Sequence, residues 1–148
     1  MNRARVNILL VEDNRADADL VKEIAEDKFM IVINVVSDGE QALKFLRRQG
    51  DYADAPEVAL VLLDLNLPKM DGRRVLKEIK SDQLLRRIPV IVLTSSEADH
   101  DVISSYDLNA NCYIKKPLDF DQFVQVLQLL NEFWFKLAKL PPRIEEKD

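Results

Sequence analysis

Four short segments of this 148-residue chain carry side chains suited to phosphoryl chemistry. Glu12 and Asp13 follow one apolar run, Asp64 closes another, Thr94-Ser95-Ser96 follow a third, and Lys115-Lys116-Pro117 a fourth. Three carboxylates brought together repel, at about a few kcal/mol per contact pair for an effective dielectric of roughly 20. A hard divalent cation offsets that repulsion, and Mg²⁺ takes about six oxygen ligands, usually a few carboxylates with waters and a phosphate. No softer ligand set competes, because Cys112 is the only cysteine and His100 the only histidine. An ammonium can hold one phosphoryl oxygen and a hydroxyl another. The set therefore describes a metal-assisted phosphoryl site in which a carboxylate can be the nucleophile. For Glu12 and Asp13 alone, helix capping is an equal reading; it does not account for the four segments jointly.

What must position these residues is an alternation of strands and helices. Val6–Val11, Ile31–Val36, Val58–Leu63, Val90–Leu93 and Cys112–Ile114 are short and rich in Val, Ile and Leu, as strands buried on both faces are. Between them lie amphipathic stretches at Ala16–Lys28, Glu40–Arg48, Arg73–Ser81 and Ala98–Leu108, and Phe120–Leu140 follows the last strand. Asn14 is placed to cap the first helix, Gly39 falls in the turn before the second, and Asp71-Gly72 forms a turn at the entry to the third, with the Asp71 carboxylate structural. Pro56 and Pro89 mark strand entries, and the loop Gln49–Glu57 reads as polar and exposed. Five βα units predict an α/β fold, a parallel sheet with helices on both faces and right-handed crossovers. In a doubly wound sheet the functional crevice lies outside the carboxyl ends of the strands. That rim is where all four segments meet.

Composition removes other classes of function. With 47% hydrophobic and 32% charged residues the chain suits a compact globule rather than a disordered segment. Twenty-one basic against twenty-six acidic residues give a net charge of −5 and a pI near 5.0, which argues against a nucleic-acid or membrane partner. The longest apolar run, Val58–Leu63, is far short of a membrane span, and Glu12-Asp13 interrupts the first apolar stretch before a signal-peptide core could form. One cysteine excludes an intrachain disulfide. The expectation is a cytoplasmic single domain over residues 1–140 with a charged tail over 141–148, begun by Pro141-Pro142. His100, among Glu97, Asp99 and Asp101, reads as a surface residue and Cys112 as a small core residue; Lys77, Lys80, Arg86 and Arg87 read as a solvated basic face.

Leu9-Leu10-Val11-Glu12-Asp13-Asn14, Leu63-Asp64-Leu65-Asn66-Leu67-Pro68-Lys69-Met70-Asp71-Gly72, Val92-Leu93-Thr94-Ser95 and Tyr113-Ile114-Lys115-Lys116-Pro117 resemble the four signature segments of bacterial response-regulator receiver domains, in the right order and spacing, over about residues 5–138. The resemblance implies a flavodoxin-like (βα)₅ fold with strand order 2-1-3-4-5. It implies that Asp64 accepts a phosphoryl group from a sensor histidine kinase. Asp13 and Asp64 would ligate Mg²⁺, with Mn²⁺ as a substitute, joined by the Asn66 backbone carbonyl and, through a coordinated water, by Glu12. Lys116 would pair with the phosphoryl group and precede a cis bond to Pro117, Thr94 would bond a phosphoryl oxygen, and Tyr113 would be the aromatic switch. Ser95 departs from the Ala or Gly usual there, and Ser96 and Asn66 fall at variable positions that tune dephosphorylation.

A narrower resemblance rests on Arg48-Gln49-Gly50-Asp51-Tyr52, on Ser105 through Tyr113, and on a last helix ending Phe133-Trp134-Phe135 before Leu140-Pro141. These are similar to the small response regulators paired with phytochrome kinases, which implies a red/far-red photoreceptor kinase upstream. No effector module is recognisable in the sequence. The expected output is contact with a partner, relay to a histidine phosphotransfer protein, or action as a phosphate sink, with only self-catalysed chemistry and no enzyme turnover. A Mg²⁺-dependent phosphatase of the haloacid-dehalogenase kind is the enzyme rival. It needs an Asp where Asn66 stands, and a cap insertion that the chain lacks. A flavodoxin would not place Glu12-Asp13 against a phosphate.

The last helix carries more apolar surface than one sheet can use. Phe120, Phe123, Leu127, Leu130, Trp134 and Ala138 form one stripe at about 100° per residue. Val126, Leu129, Phe133, Leu137 and Leu140 form a second beside it. The second stripe is expected to bury itself against the same helix of another subunit, in a twofold homodimer.

Overall fold

A computed structural model describes residues 6–94, 110, 112–115 and 120–132, apart from the side chains of Thr94 and Phe120. The five apolar runs form β1 (Val6–Val11), β2 (Ile31–Val36), β3 (Leu60–Leu63), β4 (Val90–Thr94) and β5 (Cys112–Lys115), all parallel, in the order β2-β1-β3-β4-β5. The third strand starts two residues later than its apolar run. Ala59 still donates its N–H to Asn7 O at 2.8 Å, so the chain is already alongside β1 there.

Both faces of the sheet are covered, which is why the strands read as continuous apolar runs rather than alternating ones. Ile8 and Leu10 of β1 and Leu60 and Leu62 of β3 face a core shared with Ala18, Val21 and Ile24 of α1 (Arg15–Lys28) and with Phe123, Leu127 and Leu130 at the C-terminal helix (Phe120–Leu129). Leu9, Val11, Val61 and Leu63 face the opposite core, with Leu43 and Phe45 of α2 (Gly39–Arg47) and Val75, Leu76 and Ile79 of α3 (Gly72–Ser81). Arg47 ties α2 to the end of α3, donating to Glu78 Oε2 at 3.1 Å and Asp82 Oδ2 at 3.3 Å. Among the described residues no helix is long and apolar enough to cross a membrane.

Helix entries follow capping chemistry. Asn14 Oδ1 accepts from Asp17 N–H at 3.1 Å, and Asp71 Oδ1 accepts from Arg73 N–H at 2.8 Å, both as expected. The second helix differs: Asp38 is its cap, and Gly39 is its first residue rather than part of the preceding turn. A Cβ on Gly39 would run into Val75 Cγ2 and lie 3.2 Å from Met70 Cβ, so glycine lets α2 seat against the β3–α3 loop and α3.

One surface expectation needs correction and another holds with an addition. The Gln49–Glu57 loop is largely exposed, as expected, but Tyr52 and Ala55 are half-buried. A 3₁₀ turn at Gly50–Tyr52 lays the Tyr52 ring against Phe45, with centroids 5.4 Å apart, and Ala55 and Val58 also pack on the core. Within the basic patch, Lys77, Arg86 and Arg87 are exposed but Lys80 is half-buried. Its Nζ donates to Ile88 O at 2.7 Å and Arg86 O at 3.2 Å, closing the turn into β4. The expected helix at Ala98–Leu108, His100, and the tail 141–148 lie outside the described residues.

Burial holds the Lys80 pKa below its ordinary value of 10.5. Between the folded and unfolded pKa values the unfolded chain binds more protons, so the Lys80 contribution to stability is smallest below the folded pKa and grows as pH rises towards 10.5. Urea unfolding of the native chain and of Lys80→Met should therefore show the native chain gaining relative stability from neutral pH to that limit. A gap that stays constant or shrinks contradicts this.

Candidate functional site

Strand register builds the acidic part of the site. Val11 pairs with Leu63, so the residues that follow each strand emerge side by side at the carboxyl rim. Asp64 N–H donates to Val11 O at 3.1 Å, and Glu12 N–H donates to Val36 O at 3.0 Å, fixing both backbones to neighbouring strands. One carboxylate oxygen from each of Glu12, Asp13 and Asp64 lies within 4.8 Å of the others. Glu12 is 3% and Asp64 8% exposed, whereas Asp13 is exposed. Two of the three charges are thus largely removed from water, which sharpens their mutual repulsion.

Local hydrogen bonds orient the cluster. Glu12 Oε2 accepts from Asn14 N–H at 3.3 Å, and Asp64 Oδ1 accepts from Asn66 N–H at 2.9 Å. The second bond draws the Asn66 backbone to the phosphoacceptor candidate. Gly72 closes the loop behind it: its N–H donates to Leu65 O at 3.0 Å, and a Cβ there would collide with Asp64 O and sit 2.5 Å from Leu65 Cα. Only glycine allows α3 to start this close to the end of β3.

The donor set is oxygen throughout, and its span suits a single small hard cation shared among carboxylates. The residues therefore fit Mg²⁺ or Mn²⁺.

The other expected site residues are partly placed. Leu63 pairs with Val92, which puts the end of β4 beside the end of β3, and Thr94 pairs with Lys115 across β4 and β5. The backbone of Thr94 is thus on the same rim, while its side chain, Lys116 and the Lys116–Pro117 bond lie outside the described residues, as do Ser95 and Ser96. Tyr113 is half-buried opposite Val92 and packs on the α2–α3 core. Cys112, expected in the core, is half-buried and packs on the other one. In the last helix Phe123, Leu127 and Leu130 are buried as expected. Of the second stripe, Val126 is half-buried against its own core and Leu129 is 65% exposed; Phe133, Leu137 and Leu140 lie outside the described residues.

Sequence reasoning missed Asp38. It is buried beside this rim, caps α2 through Gln41 N–H at 2.9 Å, and accepts from Gln41 Nε2 at 3.2 Å. Its signal was present: Asp38-Gly39-Glu40-Gln41 has the spacing of a capping box.

Comparison with known proteins settles the family. The profile of the response regulator receiver domain matches residues 8–128. The chain belongs to this family. It is 46% identical over 138 residues to the response regulator Rcp1 of a Synechocystis species, covering 90% of this chain and 92% of that protein. The receiver fold also superposes on the crystal structure of the phosphorylated cyanobacterial phytochrome response regulator RcpA, with TM-score 0.86 and 48% identity over 94% of this chain and all (100%) of that one. The Mn²⁺-bound form of Rcp1 gives TM-score 0.83 and 44% identity over 93% and 99% of the two chains. The protein is thus a response-regulator receiver domain homologous to phytochrome response regulators, a signalling protein whose family implies a phosphoacceptor role.

In a receiver with this cluster, neutralising one carboxylate relieves repulsion while removing a cation ligand. Asp13→Asn is expected to raise the stability of the metal-free protein by about 1 kcal/mol and to abolish the further stabilisation that millimolar MgCl₂ gives the native chain. Thermal unfolding with and without MgCl₂ checks both signs.

Proposed function

We propose that this receiver takes a phosphoryl group from a sensor histidine kinase onto Asp64 in a Mg²⁺-dependent reaction, and that the kinase is a phytochrome photoreceptor. The observation that carries the reading is the convergence of Glu12, Asp13 and Asp64 within 4.8 Å at the carboxyl rim. Similarity over nearly the whole chain to proteins described as phytochrome response regulators supports the choice of kinase.

Asp13, Asp64 and the Asn66 carbonyl are the residues to hold Mg²⁺, or Mn²⁺ in its place, with Glu12 acting through a coordinated water. The cation supplies charge neutralisation for the phosphoryl oxygens and the carboxylates. An Asp64 carboxylate oxygen forms the new O–P bond as the phosphorus–nitrogen bond of a phosphohistidine breaks, and the departing imidazole nitrogen keeps the electron pair. The Asn66 N–H bond to Asp64 Oδ1 fixes the carboxylate rotamer, so one oxygen is already engaged and the other is oriented. Lys116 pairs with the transferred group, Thr94 bonds one of its oxygens, and Tyr113 follows Thr94 inward to signal the change. The chemistry is self-catalysed and leaves the product on the protein, so it is not an enzyme's turnover. The unit acting this way spans residues 1–140, with 141–148 a charged tail, in the cytoplasm. Output runs through protein contacts, with relay to a histidine phosphotransfer protein as the second reading.

Incubation with Mg²⁺ and acetyl phosphate should add one phosphoryl group by intact mass, labile to hydroxylamine and absent in Asp64→Asn. Continued release of phosphate from unrelated monoesters, with no adduct, favours a phosphatase instead.

The same reading includes a homodimer through the last helix, over Val126, Leu129, Phe133, Leu137 and Leu140. Leu129, 65% exposed, supports it, since burying such a side chain stabilises association by about 2 kcal/mol before association costs. Sedimentation across a concentration series should show a dimer that Leu129→Asp shifts to monomer. A native chain that stays monomeric at high micromolar concentration, phosphorylated or not, rules the dimer out.

A further inference from the structure

Among the described residues, two other than glycine have positive φ, Arg48 at 54° and Lys69 at 64°. Arg48 ends α2, where a left-handed residue is a common cap. Lys69 ends no helix. It lies in the loop 64–72 that carries Asp64 and Asn66, in a backbone conformation that disfavours any residue with a Cβ.

A γ-turn sets that conformation, with Met70 N–H donating to Pro68 O at 2.7 Å across Lys69, and a second restraint comes from across the rim. Lys69 Nζ lies 3.7 Å from Asp38 Oδ2, the lysine side chain 70% exposed and that of Asp38 6% exposed. That carboxylate is itself immobilised. Oδ1 accepts from Gln41 N–H at 2.9 Å, Oδ2 accepts from Gln41 Nε2 at 3.2 Å, and Gln41 Oε1 accepts from Tyr52 OH at 3.0 Å. Negative charge at the start of α2 is further favoured by the helix dipole. The next loop residue, Met70, is seated on Gly39, where a Cβ would be 3.2 Å from Met70 Cβ and from Met70 O. The loop is therefore pinned at its ends by Asp64 and Gly72 and in its middle by the start of α2.

We propose that Asp38, acting through Lys69, is a positioning residue for the site: the pair fixes the loop so that Asn66 and Asp64 present their oxygens to the cation. The inference rests on the metal-assisted reading above and adds to it a residue that touches neither metal nor phosphoryl group. Capping alone does not need the lysine, and the site's own ligands do not include the aspartate. Only the coupling between them gives the pair an effect on metal affinity.

Asp38→Asn keeps an oxygen for Gln41 N–H while removing the charge that Lys69 meets, and Lys69→Ala removes the other half. Mn²⁺ titration followed by the electron paramagnetic resonance signal of the free ion reads the site directly, beside urea unfolding of each variant. Each single variant should bind Mn²⁺ roughly three- to tenfold more weakly, the double variant no more weakly than the worse single one, and Lys69→Arg should match the native chain. Unchanged affinity in both single variants, whatever their unfolding midpoints, overturns the inference while leaving the metal site intact. Additive losses in the double variant overturn it as well. Failure of the native chain to take up Mn²⁺ overturns both the inference and the reading beneath it.

Discussion

The structure depends on holding like charges together. Glu12 and Asp64 are nearly buried and share a space with Asp13, an arrangement that a folded chain relaxes unless its backbone is fixed. Backbone pairing supplies the fixing: β1 lies between β2 and β3, Glu12 just past its end bonds to the last residue of β2, and Asp64 just past β3 bonds to the last residue of β1. The cost of the repulsion is borne by two apolar layers that cover the sheet on either side. The like charges sit in the rim, and the stability that tolerates them resides in the interior.

The loop after β3 shows how tightly such a rim is built. Gly72 brings the start of α3 against the backbone of Asp64, Leu65 is fully buried beneath it, and Gly39 lets the start of α2 meet the loop from the other side. Loops that carry reacting groups are often the mobile parts of a fold. This one is braced by two helix starts, so the orientation of the Asp64 carboxylate is set before any ligand arrives.

Much of this was legible in the sequence. The five apolar runs gave the strands to within two residues, because strands buried on both faces need continuous Val, Ile and Leu. The rim carboxylates could be located because each directly follows a run, and a parallel sheet sends all such positions to one side. What could not be read was pairwise. Lys80 looked like one more exposed cation, since only the turn into β4 brings the carbonyls of Arg86 and Ile88 to its ammonium. Asp38 looked like an ordinary polar residue before a glycine, and its link to Lys69, thirty-one residues on, exists only once α2 and the β3–α3 loop are adjacent. The helix pattern alone also cannot tell how far Val126 leans on its own core, which it does in part.

Strand order has a bearing on how the molecule comes into being. All three carboxylates follow β1 and β3, which lie side by side, with β2 beyond β1 at the edge of the sheet. Domains fold as units, so the acidic pocket closes only when both apolar layers close over the sheet, including the contacts that Phe123, Leu127 and Leu130 make from the last helix.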